Sequence, residues 1–135
     1  MRRAVPDRRG GRGHYALDMA RLEVDGDRLA LRLTTAEHLE SAHGDLVVPR
    51  SSVASVRVTE DVWSELRGIR APGTGLPGVI AVGTRRGSFG KDFAVVHGTG
   101  RGVVVELTDQ PFSRIVLTTP DPEEVVTRIT APGPA

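Results

Sequence analysis

Four short apolar runs fill the second half of the chain: "GVIAVGT", "DFAVVHG", "GVVVEL" and "SRIVLTT", beginning at Gly78, Asp92, Gly102 and Ser113. Their valines and isoleucines carry two heavy atoms on Cβ, which stiffens χ1 and suits a pleated, half-buried surface better than a helix. Runs this short, punctuated by Gly, Ser, Asp and Arg, read as strands. Parallel neighbours need a crossover of about a dozen residues, usually a helix, and the links here leave no room for one. An antiparallel meander in a barrel or sandwich is therefore expected. With only one Trp, one Tyr and three Phe in the chain, its core has to be aliphatic.

The first half adds smaller elements. Apolar and polar residues alternate through Leu22 and Val24, then through Leu29, Leu31 and Leu33, on either side of "DGD". This is a hairpin pattern, with Gly26 able to take positive φ at the turn. Thr34 and Glu37 have the spacing of a capping box, and Gly44 is a natural stop, so a helix of about two turns is expected between them. Leu39 with Ala42 or His43 would give it a small buried face. Leu46 to Val48 and "VASVRV" read as further strands, and "TEDVWSELRG" as a helical turn or an irregular excursion pinned by Trp63. At the end, Asp121 as N-cap, Pro122 at the first helical position and the stripe Val125, Val126, Ile129 predict a short helix packed on the sheet.

Charge is unevenly placed. Residues 1–12 hold five Arg against one Asp, and the remainder is mildly acidic, so the formal charge of the whole is only +1. Nucleic-acid binding gains much of its free energy from counterions released around neutralised phosphates, and a mildly acidic domain is a poor source of that term. No specific nucleic-acid partner is expected. Cysteine is absent, which removes disulfides, thiolate nucleophiles and cysteine metal sites. The basic start "MRRAVPDRRGGRG" lacks the apolar stretch of a signal peptide, and no window approaches the roughly 18 to 20 apolar residues of a membrane span. The expectation is a cytoplasmic protein with a disordered basic tail over 1–14, one domain over 15–130 and a disordered end over 131–135.

A meander finished by one amphipathic helix, with "LRGIRAPGTGLPG", a following "GT", an aromatic in "KDF" and a terminal "DPEE", resembles bacterial pleckstrin-homology-like domain proteins. The resemblance spans about Ala16 to Ile129. It implies an antiparallel barrel of about seven strands with a C-terminal capping helix, and binding of lipid headgroups, peptides or protein domains. Lipid-binding members use basic residues at the first hairpin turn, where this chain has Asp25, Gly26 and Asp27. Carboxylates repel phosphate, so phosphoinositide membrane binding is disfavoured.

The segment from Arg67 to Gly90 contains Arg67, Arg70, Arg85 and Arg86 and no carboxylate. It matches neither a P-loop nor a dinucleotide fingerprint. One reading is an ordered corner, with Pro72 and Pro77 restricting φ and Leu76, Val79 and Ile80 anchoring it. Another is a protein-interaction surface of Trp63, Arg67, Arg70, Leu76, Arg85 and Arg86, residue types that concentrate contact free energy when exposed together. A third is a small anionic-ligand pocket at one barrel end, with amides from Gly73, Gly75 and Gly78, charge from Arg67, Arg70 or Arg85, and Phe89 as an apolar wall.

His38 and His43 are five apart, a poor fit to an i, i+4 metal pair, and no metal site or cofactor is expected. Ser88 sits outside any nucleophile elbow, and a grouping with His97 and Asp92 would need contact geometry. Phe89 and Phe93 near Arg85, Arg86 and Lys91 read as hydrophobic anchors before a base-stacking platform. The sequence therefore points to a noncatalytic protein-interaction or scaffolding module with a protein partner or self-association, the anion pocket being its competitor.

Overall fold

The computed structural model describes residues 20–41 and 43–131, and at 70–72 the main chain alone. The expected tail over 1–14 and the last four residues lie outside the described residues, as do 15–19, where the domain was expected to open. Ala131, assigned by sequence to the C-terminal tail, is described and its carbonyl accepts a hydrogen bond from Arg50 Nη2.

β1 (Arg21–Asp25) and β2 (Arg28–Arg32) form the expected hairpin. Its turn takes Gly26 at φ +62°, where a Cβ would be strained. α1 (Thr35–Ser41) starts at the expected capping box: Thr34 Oγ1 accepts from Glu37 N at 3.2 Å, and Glu37 Oε1 accepts from Thr34 N at 2.8 Å. The buried face differs from expectation. Leu39 is 79% exposed, whereas Glu37 is buried, because its second carboxylate oxygen reaches Ala20 N and the His97 ring and turns that side of the helix inward.

β3 (Leu46–Pro49) completes a three-stranded sheet in the order β1-β2-β3. A 3₁₀ turn at Arg50–Ser52 then carries the chain into a second sheet, beginning with β4 (Val53–Thr59). That break corrects the expected barrel: the nine strands form two separate sheets, with no closed ring among the described residues.

The larger sheet has the order β4-β8-β9-β7-β6-β5. β5 (Ile69–Leu76) and β6 (Ile80–Gly87) are an antiparallel hairpin where a corner was one reading of the sequence. Its irregularity between Arg70 and Gly73 accommodates Pro72, which has no amide to give a ladder and is tolerated on an edge strand. β7 (Gly90–His97), β8 (Gly102–Leu107) and β9 (Arg114–Thr118) depart from the meander: β9 lies between β7 and β8 and runs parallel to β7. No helical crossover is needed because β8 is itself the crossover. The link Gly98–Arg101 lets β8 start one strand further out, about 10 Å away, and β9 folds back into the gap. Strands in such a place are buried on both faces, which explains the unbroken apolar runs.

One face of the large sheet, including Val82, Phe93, Val95, Val105 and Leu117, packs against Leu22, Leu29 and Leu31 of the small sheet. α2 (Pro122–Thr130) closes this core with Val125 and Ile129, starting as expected at Asp121, whose Oδ1 accepts from Glu124 N at 3.4 Å. The opposite face, with Ala94, Val96, Val104 and Val116, is covered by Val62, Trp63 and Leu66 from a 3₁₀ turn at Val62–Glu65. Among the described residues no helix is long and apolar enough to cross a membrane.

Candidate functional site

The β6–β7 turn places Phe89 beneath the chain that leads into β5. The Arg67 guanidinium lies 4.0 Å above the Phe89 ring and grips Asp92 with two bonds, Nε to Oδ2 at 2.6 Å and Nη2 to Oδ1 at 3.1 Å. Asp92 is 2% exposed, so this planar pairing satisfies a carboxylate that water scarcely reaches. Gly68 allows the close approach: at φ +77°, a Cβ there would lie 2.3 Å from Arg86 O and 2.8 Å from Phe89 Cζ. Arg85 ties the same crossing from the other side, donating from Nε to Arg67 O and from Nη2 to Gly68 O, both at 3.0 Å. Two of the arginines assigned by sequence to an anion are thus engaged with the protein's own groups. The acidic partner of Arg67 lies just past the carboxylate-free segment.

Trp63 is half-buried, packed on the second apolar cluster, and its indole N–H donates to Gly98 O at 2.7 Å. Beside it Glu65 accepts from Arg57 at 2.8 and 2.9 Å and from Thr59 Oγ1 at 2.9 Å. The Arg57 bond pulls the Glu65 carboxyl down to about 2; burial opposes this, and the Thr59 bond adds to it. This part of the sequence-derived surface fastens a cover onto the sheet.

The hairpin presents a different chemistry. β5 is the outer strand of the large sheet. Ile69 is 72% exposed, Leu76 57% and Val79 54%. The expected anchoring by Leu76 and Val79 is therefore corrected: the turn at Pro77–Gly78 leaves both outside, and Ile80 alone of the three packs against the core. Gly78 supplies the positive φ of that turn, Gly73 pairs opposite Gly83 and Gly75 opposite Ala81. Arg86 is exposed, and the side chain of Arg70 lies outside the described residues. Exposed Leu39 sits on α1 next to Glu40, whose carbonyl accepts from Thr74 Oγ1 of β5 at 2.9 Å. Sequence reasoning missed Ile69 and Leu39, and the only signal for Ile69 was an alternation that the irregularity at Arg70/Gly73 interrupts.

Other candidate groups fall apart in space. Asp92 and His97 are an odd number of residues apart on β7 and so point to opposite faces of the sheet, Asp92 to Arg67 and His97 to Glu37 at 2.6 Å. Phe93 is fully buried and stacks with His43 and Phe112 at ring separations of 5.2 and 5.4 Å, so it joins no surface with Phe89. His38 bonds Asp45 at 2.8 Å. Among the described residues no group of three or more His, Asp or Glu is placed to hold a metal. Comparisons with protein-family models, with curated proteins and with solved structures find no match to this chain.

Proposed function

We propose that the chain is a noncatalytic protein-interaction module whose contact surface is the outer edge of the β5–β6 hairpin together with the exposed side of α1. The observation that carries this reading is that, of the five large exposed apolar residues among the described residues, four lie there: Leu76 and Val79 at the hairpin turn, Ile69 at the other end of β5, and Leu39 on the helix joined to it. Burying a side chain of this size is worth about 1.5 to 3 kcal/mol, enough together to offset part of the cost of association. β5 is last in the strand order among the described residues, so a second polypeptide, whether a partner protein or another copy of the chain, can reach these side chains from the side of the sheet. The engagement of Arg67 and Arg85 within the protein favours this reading over an anion pocket. A pleckstrin-homology-like scaffold and a cytoplasmic location belong to the same proposal. Two sheets closed by a C-terminal helix support the scaffold, while the parallel β7–β9 pair departs from the meander that the resemblance implied.

The test compares tagged wild-type protein with the Ile69→Lys/Leu76→Lys/Val79→Lys variant in recovery from native cell lysate and in sedimentation of the purified protein. The expected result is loss of a bound protein, or of self-association, at an unchanged urea midpoint, since all three side chains are already in water. The same companions and the same mass in both samples would overturn it.

A further inference from the structure

The small sheet leaves one strand edge facing the terminal helix. β1 is its outer strand, and a groove of about 640 Å³ runs between that edge and α2, lined by residues 20–25 on one side and by Asp121, Glu124, Val125 and Arg128 on the other. The two-residue turn closes on the Asp25–Arg28 pair, and ladder bonds in an antiparallel hairpin fall on alternate pairs. Arg21, Glu23 and Asp25 therefore bond to β2, while Leu22 and Val24 turn their N–H and C=O groups away from it; Leu22 is buried at 2% exposure, so among the described residues Val24 is the open position on this edge. Arg128 marks that direction: its Nη2 donates across the groove to Leu22 O at 3.4 Å. Buried Leu22 and Val125 give the groove an apolar floor.

Its charge is acidic. The lining carries Glu23, Asp25, Asp121 and Glu124 against Arg21 and Arg128. Arg21 is held by Glu23 at 2.6 Å and Arg128 by Glu124 at 3.1 Å. Asp25 and Asp121 are left without an ion-pair partner among the described residues.

We propose that this groove accepts an extended basic segment of a partner protein, which adds as a strand to β1 and sets Lys or Arg side chains against Asp25 and Asp121. Main-chain bonds at Val24, and at Leu22 once the incoming strand displaces Arg128 from its carbonyl, supply affinity, and the carboxylates select positive side chains. The site is on the opposite sheet from the β5–β6 hairpin and stands on separate observations.

The test titrates the full chain with a blocked heptapeptide of alternating Arg and Val, and with its Glu-Val counterpart, following backbone amides by NMR. The expected result is saturable binding of the Arg peptide alone, with the largest shifts at Leu22 and Val24. Asp25→Lys/Asp121→Ser, in which serine still caps the helix, weakens binding about tenfold, as loss of two exposed charge contacts requires. Val24→Pro is tolerated on an edge because its amide lies outside the ladder, and it abolishes the shifts while leaving the rest of the spectrum in place. Absence of saturable binding, shifts centred elsewhere, equal response to the Glu peptide, or indifference to both variants would each overturn the proposal.

Discussion

At the residue scale, two carboxylates that water barely reaches organise the protein, and each is held by partners distant in sequence. Asp92 depends on Arg67, 25 residues away, and Glu37 on His97, 60 residues away. Arg67→Ala leaves Asp92 buried without its bidentate partner, and the expected loss is about 3 kcal/mol, read as a lower urea midpoint at unchanged slope. Asp92→Asn in the same chain restores part of it. An arginine held in reserve for an external anion would leave stability unaltered on removal. For Glu37, burial alone would raise the carboxyl; the His97 bond and the Thr34 and Ala20 amides outweigh it, so its pKa lies below the ordinary 4.5. The folded protein then takes up the proton less readily than the unfolded chain. This contribution is complete above the unfolded value of 4.5 and is lost as pH falls through the lower folded value. Glu37→Gln is expected to lower stability at neutral pH and to flatten its fall below that point, measured by denaturant unfolding across the acid range.

At the element scale, stability and legibility both follow from how local the chemistry is. Asp121→Ala removes the cap of α2 and is expected to cost about 1 kcal/mol, with Asp121→Ser close to neutral, as seen in thermal unfolding. That helix, the capping box of α1 and the β1–β2 turn were readable from sequence because each signal and its partner lie within a few residues. The β5–β6 hairpin was not read as one: the irregularity at Arg70/Gly73 breaks the alternation on which a strand assignment rests. The insertion of β9 beside β7 was hidden for a different reason. Both arrangements of the four runs use the same short links, and only burial on two faces, supplied by the cover from Val62 to Leu66, distinguishes them. Candidate residues fared likewise. Leu76 was a surface candidate by its type and an anchor by its place in the segment, and its 57% exposure removes the second reading, whereas the exposure of Leu39 depends on Glu37 turning inward toward a histidine far along the chain.

At the scale of the whole molecule, the six-stranded sheet is covered on both faces, by the small sheet with α2 and by the segment around Trp63. Its apolar faces are therefore turned inward, and the exposed groups invoked for binding lie at strand edges and on α1. The β5 edge carries exposed aliphatics and the β1 edge carries carboxylates, so the two surfaces are suited to different polypeptides. In the proposed function, the first of these is the contact surface. It is tested most directly by placing a photoreactive phenylalanine analogue at Leu76 or, in a separate sample, at exposed Asp109 in the β8–β9 loop, and irradiating each in native lysate. A discrete protein adduct from position 76 and none from 109 is the expected result. An adduct from 109 with none from 76 would contradict it.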